Sequence, residues 1–298
     1  MLEIKNLNKT SHNISILNDI NMNVEEGMIY GFIGHNGAGK STTMMSIVGL
    51  TSFDSGTIKI NNQTYKHKVS VQQKLGYLPE NPSFYNYLTG KEYIEYLTDL
   101  QKSTYNHEIF EKVGLQDACH KRIGTYSRGM KQRLGMAAAI IGEPKLLILD
   151  EPTSALDPKG RFELFSLIKE VREQGSTVIL STHILDDIEK ISDRIGIIKQ
   201  GKVIKEGNVE TILSTYFKPI YDIELGENCD MTDINELKRM NWISDVVCDK
   251  KSLSVMVTDI DEARKQMLKL LASTKLNVMG FKLRKPSLDE IFLSEVSL

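Results

Sequence analysis

Two patterns of hydrophobic and polar positions divide the first two thirds of the chain. Near the N-terminus, apolar and polar residues alternate in LEIKNL and in ISILNDINMNV, which predicts half-buried antiparallel strands. Further along, continuous apolar runs predict central parallel strands that are covered on both faces. These runs are residues 28–34, 145–150 and 176–182. The pattern between and after them is helical, most extensively over residues 88–142. The sequence therefore predicts an α/β fold.

The pattern changes after about Tyr216. From there the order reads strand, helix, strand, strand, helix, strand, which is typical of a small ferredoxin-like α+β domain. A last helix is predicted to begin at Pro286 and Ser287, because both residue types favour a helix start. Trp242 and Phe281 are interpreted as core anchors of this part rather than as ligand contacts. The sequence therefore predicts two domains, residues 1–215 and residues 216–298.

Composition narrows the classes of function. The 298 residues carry a formal net charge of −2, so bulk electrostatics give no reason to expect a nucleic-acid partner. No apolar run approaches the roughly 20 residues of a membrane helix, so any work at a membrane requires another, membrane-spanning chain. The cysteines are odd in number and lack metal-ligand spacing, which suits a reducing cytosol; they are Cys119, Cys229 and Cys248.

The clearest chemical motif is GHNGAGKST, which matches the phosphate-binding pattern G-x-x-x-x-G-K-[ST]. It lies between a predicted buried strand and a predicted helix, as the mechanism of that motif requires. Its glycines allow backbone angles that turn successive N–H groups toward a β-phosphate. The alternative is a glycine-rich turn with no ligand, which this context disfavours. The nucleotide-contacting residues predicted here are Gly34, His35, Asn36, Gly37, Ala38, Gly39, Lys40, Ser41 and Thr42.

Two acids follow the buried strand LLILD, namely Asp150 and Glu151. At the carboxyl edge of a parallel sheet, Asp150 is suited to hold the shell of a Mg²⁺ ion through water. Glu151 would lie beside a γ-phosphate, where it could orient and deprotonate the attacking water. Acids with a purely structural role are common at strand ends. The catalytic interpretation of this pair is favoured because a phosphate loop precedes it in the chain.

A second anion site is predicted in YSRGMKQRLGMAAAII, residues 126–141. Ser127 and Gly129 stand in a turn before a helix, where free N–H groups, the positive end of the helix dipole and a hydroxyl favour an anion. One chain with two phosphate sites raises the question of which nucleotide the second site serves.

In their order along the chain, these motifs resemble those of the ATP-binding subunit of ABC transporters, which are P-loop NTPases. The resemblance covers about residues 2–215. It includes GYLPEN at the Q-loop, YSRGMKQ at the signature, LLILDE at Walker B, SALD at the D-loop and STH with the switch histidine. It implies a cassette with a mixed central sheet, an antiparallel β subdomain and a helical subdomain.

The resemblance also implies roles for the matched residues. Lys40, Glu151 and His183 are the expected catalytic residues, with Glu151 activating water and His183 hydrogen-bonding to the γ-phosphate. The expected cofactors are ATP and Mg²⁺. The residues expected at the metal are Ser41, Asp150 and Glu80.

In this family two subunits pack head to tail, and each ATP lies between one subunit's Walker A motif and the other's signature. Ser127 and the N–H of Gly129 would therefore grip the γ-phosphate of the partner's ATP. Since this chain has one copy of each motif, the resemblance implies a second nucleotide-binding subunit, either identical or homologous.

Three features depart from the family pattern: the Q-loop, the signature and the adenine-stacking aromatic. Glu80 replaces the usual glutamine of the Q-loop, and Arg128 and Met130 replace a glycine and a glutamine of the signature. Such variants resemble the subgroup that exports antibiotics and peptides. The aromatic residue that stacks on adenine is absent, and near its position His12 could stack weakly or belong to a plain surface loop.

The resemblance implies an exporter ATPase at the cytoplasmic face of the cell membrane, attached to a separate transmembrane subunit. The expected substrates are amphipathic peptides, antibiotics or other hydrophobic compounds. Aromatic residues beside the Q-loop are either core or a groove for a short helix of that subunit; they are Tyr77, Phe84, Tyr85 and Tyr87. The closing PSLDEIFL resembles the tail of drug-exporter ATPases, whose C-terminal domains serve dimerisation or regulation.

Two other classes remain open. A soluble ABC ATPase that acts on ribosomes or DNA usually has two cassettes or a long coiled-coil insertion with a basic surface, and this chain has none of these. A non-catalytic ATP-binding partner in a heterodimer is opposed by intact Lys40, Glu151 and His183, although Arg128 keeps it open.

Overall fold

The structure, a computed structural model, describes residues 1–64, 75–229, 231–284 and 287–297. The chain divides into two compact units. The first unit is Met1–Val209 together with Phe292–Leu298, and the second unit is Glu210–Ile291. Pro286, at the predicted start of the last helix, lies outside the described residues, and that helix runs over Leu288–Ser297.

Two sheets form the centre of the first unit. Its strands are β1 (Leu2–Ser11), β2 (Ile14–Val24), β3 (Ile29–Ile33), β4 (Ser55–Ile60), β5 (Gln63–Thr64), β6 (Leu75–Leu78), β7 (Leu146–Asp150), β8 (Thr177–Thr182), β9 (Arg194–Lys199) and β10 (Lys202–Asn208). One sheet has the order β2-β1-β4-β5 and is antiparallel, as the alternating pattern predicted. The other has the order β10-β9-β3-β8-β7-β6.

The second of these sheets is mixed. Its strands are parallel except β10, which returns antiparallel to β9 through a turn at Gln200 and Gly201. Both turn residues have positive φ, at 49° and 75°, which is the geometry of a tight two-residue hairpin. Every residue of β3, β7 and β8 is buried, so the continuous apolar runs are confirmed as central strands.

The bounds of the helices in the first unit follow local capping chemistry. They are α1 (Lys40–Ile47), α2 (Gly90–Gln101), α3 (Glu108–Lys112), α4 (Arg128–Ile140), α5 (Pro158–Glu173) and α6 (Leu185–Ile191). The next helix, α7 (Val209–Thr215), begins at the last residue of this stretch and continues into the second unit. Thr89 and Glu92 form a capping box at the start of α2. Asp157 caps α5, whose first residue is a proline.

Both sheets contribute to one hydrophobic core. Leu2 and Ile4 of β1 are buried in the same cluster as Phe32 of β3 and Ile148 of β7, and Met44 of α1 belongs to it as well. Each such side chain stabilises the fold by about 1.5–3 kcal/mol through burial. This shared core fixes the edge of the mixed sheet where β3, β7 and β8 end.

The second unit is the ferredoxin-like α+β fold that the sequence predicted. Its elements are β11 (Ile220–Leu225), α8 (Met231–Leu237), β12 (Ile243–Asp249), β13 (Ser252–Val257), α9 (Ile260–Ser273), β14 (Val278–Leu283) and the start of α10 (Leu288–Ser297). The antiparallel sheet has the order β12-β13-β11-β14. Trp242 is buried in its core, as expected, whereas Phe281 lies on edge strand β14 and is 39% exposed. The interpretation of Phe281 as a core anchor is therefore wrong.

The structure pairs two of the cysteines. Cys229 and Cys248 form a disulfide across a sequence separation of 19 residues, and Cys119 is free and buried. This pairing differs from the expectation of unpaired thiols in a reducing cytosol. The spacing of the two cysteines along the chain did not indicate this disulfide, because the pair is not part of a local motif and β12 is what brings Cys248 to Cys229. Within the described ranges, no helix has the length and apolar character needed to cross a membrane.

A hydrogen-bonded ion pair links three strands of the second unit. Arg284 donates from Nε to Asp222 Oδ2 at 2.9 Å, and its Nη2 donates to Asp222 Oδ1 and to Ser254 Oγ. The Arg284 guanidinium, helped by the Ser254 hydroxyl, lowers the pKa of Asp222 below its ordinary value. A lowered pKa means that this stabilisation is present above the unfolded pKa and is lost as the pH falls through the folded one.

We predict that Asp222→Asn destabilises the second unit by about 1 kcal/mol at pH 7, since both side chains are partly exposed. The difference from wild type should shrink below about pH 4. Urea unfolding followed by fluorescence measures it, because Trp242 is the single tryptophan and lies in this unit's core. Asp249→Asn, on an exposed position of β12, is the control. Equal unfolding midpoints for the two variants would contradict the prediction.

Candidate active site

The glycine-rich loop connects the end of β3 to the start of α1, as predicted. Gly37 and Gly39 have positive φ, at 81° and 111°. A Cβ at Gly39 would come within 2.9 Å of the Leu17 side chain and 3.1 Å of the Ile16 carbonyl oxygen. The loop therefore requires glycine at this position for both backbone angle and space.

Lys40 is the first residue of α1, and its ammonium is held inside the loop. Its Nζ donates to the carbonyl oxygens of Gly34 at 2.6 Å and of His35 at 3.3 Å. It also lies 3.5 Å from Glu151 Oε1. The Lys40 side chain is only 5% exposed, so these oxygens replace the water that would otherwise solvate its charge.

Glu151 lies between two cationic or hydrogen-donating groups. Its Oε1 faces Lys40, while its Oε2 lies 2.8 Å from His183 Nδ1. Because an ionised carboxylate only accepts hydrogen bonds, Nδ1 of His183 is the donor in this pair. The Glu151 side chain is 7% exposed and that of His183 is 54% exposed. The structure thus joins the phosphate loop, the end of β7 and the residue after β8 through one carboxylate.

Asp150 and Glu151 share a serine that the sequence reasoning missed. Ser181, on the neighbouring strand β8, donates through Oγ to Asp150 Oδ1 at 2.6 Å and accepts from the backbone N–H of Glu151 at 3.0 Å. Glu151 has a φ of 47°, which is unusual for a residue other than glycine. Ser181 therefore holds the turn that aims the Glu151 side chain. Its position two residues before His183 in a predicted parallel strand was the available signal.

A cavity of about 560 Å³ opens beside the loop, within the range of small-molecule sites. Two acids, Glu80 and Glu151, line it. Ile16 of β2 also lines it and was not predicted from the sequence. The loop residues among its lining are His35, Asn36, Gly37, Gly39, Lys40, Ser41 and Thr42. The structure therefore brings most of the predicted phosphate loop and both of these acids to one volume.

Other predicted residues lie outside that lining. Ala38 is buried and its N–H donates to the His35 carbonyl, and Asp150 is also buried. His12 stands in the exposed turn between β1 and β2, where Ser11 Oγ lies 3.1 Å from its Nδ1. The part of the chain that the structure describes does not bring His12 to the cavity, so adenine stacking by His12 stays a prediction.

The helix start that was predicted as a second anion site lies outside the lining of the cavity. Ser127 is the N-cap of α4, and its Oγ accepts from the N–H of Met130 at 3.2 Å. Ser127 and Arg128 are exposed. A Cβ on Gly129 would come within 3.1 Å of the Ala155 carbonyl oxygen, so glycine lets this helix start approach the D-loop segment closely.

The residues predicted for Mg²⁺ fit that ion by donor type. Ser41 supplies a hydroxyl, and Asp150 and Glu80 supply carboxylates, which are the hard oxygen ligands that Mg²⁺ takes together with phosphate oxygens. Ser41 and Glu80 line the cavity directly. Asp150 accepts a hydrogen bond from Ser181 and is not among the lining residues. Burial, with a further contribution from the charge of Asp150, raises the pKa of nearby Tyr77.

The aromatic residues after the Q-loop divide into two groups. Tyr77 and Phe84 are half-buried, and Phe84 packs edge-on against Tyr93 of α2 with ring centroids 5.2 Å apart. Tyr85 and Tyr87 are 50% and 70% exposed. We call the exposed group, formed by Tyr85, Tyr87 and Tyr96 of α2, the tyrosine patch. The ring centroid of Tyr85 lies 5.9 Å from that of Tyr87 and 6.3 Å from that of Tyr96. The core interpretation is therefore wrong for Tyr85 and Tyr87.

Two protein-family models match the chain. A protein-family model described as ABC transporter matches residues 17–154. A second model, described as the C-terminal domain of ATP-binding protein DrrA1-3-like proteins, matches residues 207–296.

Several curated proteins are similar over most of the chain. The uncharacterized ABC transporter ATP-binding protein YxlF of Bacillus subtilis is 34% identical over 99% of both chains. The linearmycin resistance ATP-binding protein LnrL of Bacillus subtilis is 32% identical over 99% of this chain and 97% of that protein. The bacitracin transport ATP-binding protein BcrA of Enterococcus faecalis is 39% identical over 71% and 70%.

Solved structures are similar over about 70% of the chain. An ATP-binding subunit of an ABC transporter has a TM-score of 0.67 and 29% identity, covering 72% of this chain and 93% of that one. The ATP-binding cassette MJ0796, in a dimeric post-hydrolysis state bound to ADP and Pi, has a TM-score of 0.66 and 25% identity, covering 70% and 99%.

We predict that Ser181→Ala lowers the maximal rate of nucleotide hydrolysis by roughly 5- to 100-fold, because it leaves the buried Asp150 carboxylate and the Glu151 N–H without their shared partner. Nucleotide affinity should change little. Ser176→Ala is the matched control, since Ser176 is also buried and also bonded, to the Pro144 carbonyl at the opposite end of β8. Equal rates for the two variants in a phosphate-release assay would refute this role.

Proposed function

Since the chain belongs to the ATP-binding proteins of ABC transporters, which are ATPases, we propose that its catalytic centre is the cavity beside the phosphate loop. The observation that carries the proposal is the Glu151 carboxylate, which contacts both Lys40 and His183. A buried acid at the end of a central strand, next to a phosphate-binding lysine, has the position of a general base for water.

Each residue of the centre has a proposed role. Lys40 leaves the Gly34 and His35 carbonyls to bind the β- and γ-phosphates of ATP, since an ammonium prefers phosphate charge to neutral oxygens. Its departure frees Oε1 of Glu151 to accept a proton from the attacking water. His183, half exposed beside Glu151, turns to hydrogen-bond the γ-phosphate. Apart from Ala38, whose N–H donates to the His35 carbonyl, residues 34–42 offer backbone N–H groups to the phosphate oxygens.

Mg²⁺ is part of this proposal through its ligands. Ser41, Asp150 and Glu80 would hold the ion, directly or through water, and the ion would supply neutralising charge at the phosphates. Ser181 orients the Asp150 side chain by donating to its carboxylate.

We further propose that two copies of this chain, or this chain and a homologue, complete the site. Ser127 and Gly129 form an exposed anion-binding helix start outside the cavity, so they suit the γ-phosphate of a nucleotide held by another subunit. The solved MJ0796 cassette is a dimer with ADP and Pi, which supports this arrangement. In the proposed organisation residues 1–215 form the ATPase domain, and residues 216–298 form an accessory domain for dimerisation or regulation.

ABC ATP-binding subunits of transporters work with separate transmembrane subunits. The proposed location of this chain is therefore the cytoplasmic face of the cell membrane, bound to such a subunit. The tyrosine patch offers three exposed rings, each an amphipathic contact surface suited to a short helix.

The proposed cargo is an amphipathic peptide, an antibiotic or another hydrophobic compound, pumped outward. The similarity to LnrL and BcrA, whose names refer to linearmycin resistance and bacitracin transport, supports this class. The net charge of −2 gives no support to an action on ribosomes or DNA.

We predict that Glu151→Gln lowers ATP turnover by roughly 10²–10⁴-fold, the range for a lost general base, while ATP binding persists. The variant should accumulate as ATP-bound dimers in light scattering, because the ATP that holds the two subunits together is no longer hydrolysed. Glu173→Gln, at the exposed end of α5, should behave like wild type. Near-normal turnover of Glu151→Gln would remove this residue from the role, and a wild type without ATPase activity would favour a non-catalytic partner.

We also predict that Tyr87→Ala weakens co-purification with the membrane-spanning chain that accompanies the wild type, while ATP binding persists. Truncation of this ring removes the most exposed member of the tyrosine patch. Phe162→Ala is the matched control, since Phe162 is a 73% exposed aromatic residue on α5. Equal recovery of the membrane chain with both variants would count against docking at the patch.

A further inference from the structure

The middle of the last helix contacts the phosphate loop. Phe292 of α10 lies edge-on against the imidazole of His35, with ring centroids 4.8 Å apart and planes inclined at 63°. Both residues belong to the first unit. This is the preferred geometry of an interacting aromatic pair rather than an incidental approach.

The helix presents Phe292 on its buried side. Leu288, Ile291 and Phe292 are 2%, 1% and 9% exposed, whereas Leu293, the next residue, is 63% exposed. Their spacing of three and four residues defines one face of a helix. One turn further along this face, Glu295 pairs with Lys205 of β10 at 3.8 Å. The tail is therefore fixed to the first unit by an aromatic contact and an ion pair.

His35 connects this contact to the chemistry of the loop. Its carbonyl oxygen accepts from the N–H of Ala38 at 3.1 Å and from Lys40 Nζ at 3.3 Å. The His35 side chain is exposed to solvent, and Phe292 packs against its imidazole ring. A ring that fixes the His35 side chain thus also restricts the backbone turn that shapes the loop around Lys40.

We propose that Phe292 is a positioning residue for nucleotide binding, which holds the phosphate loop in its binding conformation through His35. This inference rests on the proposed function of the loop as the ATP site. Nothing in the nucleotide needs to touch Phe292, since the effect passes through preorganisation of the loop. The C-terminal tail is then a part of the binding site's support rather than a separate appendage.

The role requires the ring and not only apolar volume. Phe292→Leu retains an apolar side chain on the buried face, so it should preserve folding while removing the aromatic pair. We expect it to raise the dissociation constant for ATP with Mg²⁺, measured by calorimetry on the full chain, by about 2- to 10-fold. Phe292→Tyr, which keeps the ring, should restore wild-type affinity. Leu293→Ala, at the exposed neighbouring position, is the matched control and should match wild type.

A double-mutant cycle with His35→Ala tests the path of the effect. If Phe292 acts through His35, Phe292→Leu should add little to the loss that His35→Ala already causes. In steady-state assays the Michaelis constant should rise while the maximal rate stays within about twofold, because the catalytic groups remain in place.

The outcomes separate this inference from the function on which it rests. A wild type that binds ATP, together with a Phe292→Leu variant of unchanged affinity, would overturn the positioning role alone. Additive losses in the double mutant would overturn the route through His35. A wild type that does not bind ATP would instead remove the proposed function.

Discussion

The buried charge pair between Lys40 and Glu151 is the constraint on which the site depends. Both side chains are less than a tenth exposed, and a charge removed from water is costly unless an opposite charge or hydrogen bonds compensate it. Here each charge compensates the other, and the carbonyl oxygens of the loop and the His183 imidazole complete the set. When a phosphate binds, Lys40 would exchange the loop carbonyls and Glu151 for phosphate oxygens, so the charge of its ammonium would stay compensated. The two buried groups that need compensation are thus the same groups that are proposed to bind the phosphates and to activate water.

That pair exists because three strands end side by side. The order β3-β8-β7 places the loop after β3, His183 after β8 and Glu151 after β7 at one edge of the sheet. Ser181 then ties β8 to β7 through Asp150 and the Glu151 N–H. The hydrophobic core that joins both sheets keeps these ends in register, so packing far from the cavity controls angles within it.

The two anion-binding features have different surroundings. Glu80, Glu151 and Ile16 line a cavity beside the phosphate loop, whereas Ser127 begins an exposed helix. An anion site without enclosure holds its ligand weakly, because water screens its dipole. It becomes effective when a second surface covers it, which is the physical basis for proposing a shared nucleotide. The phosphate loop, in contrast, is supported from within the same chain, because Phe292 of α10 packs against His35.

The sequence by itself determined the features that consecutive residues control. The glycines of residues 34–42, the Ser127 cap, the strand-end acids and both fold types followed from local backbone preferences and hydrophobic period. Only the tertiary structure decided which side chains meet from distant segments: Ser181 with Asp150, Ile16 at the cavity, Cys229 with Cys248, and Phe292 with His35. It also left Phe281 at an edge and Tyr85 in solvent. Local preference fixes an element's type, whereas its neighbours depend on long-range packing that no single segment encodes.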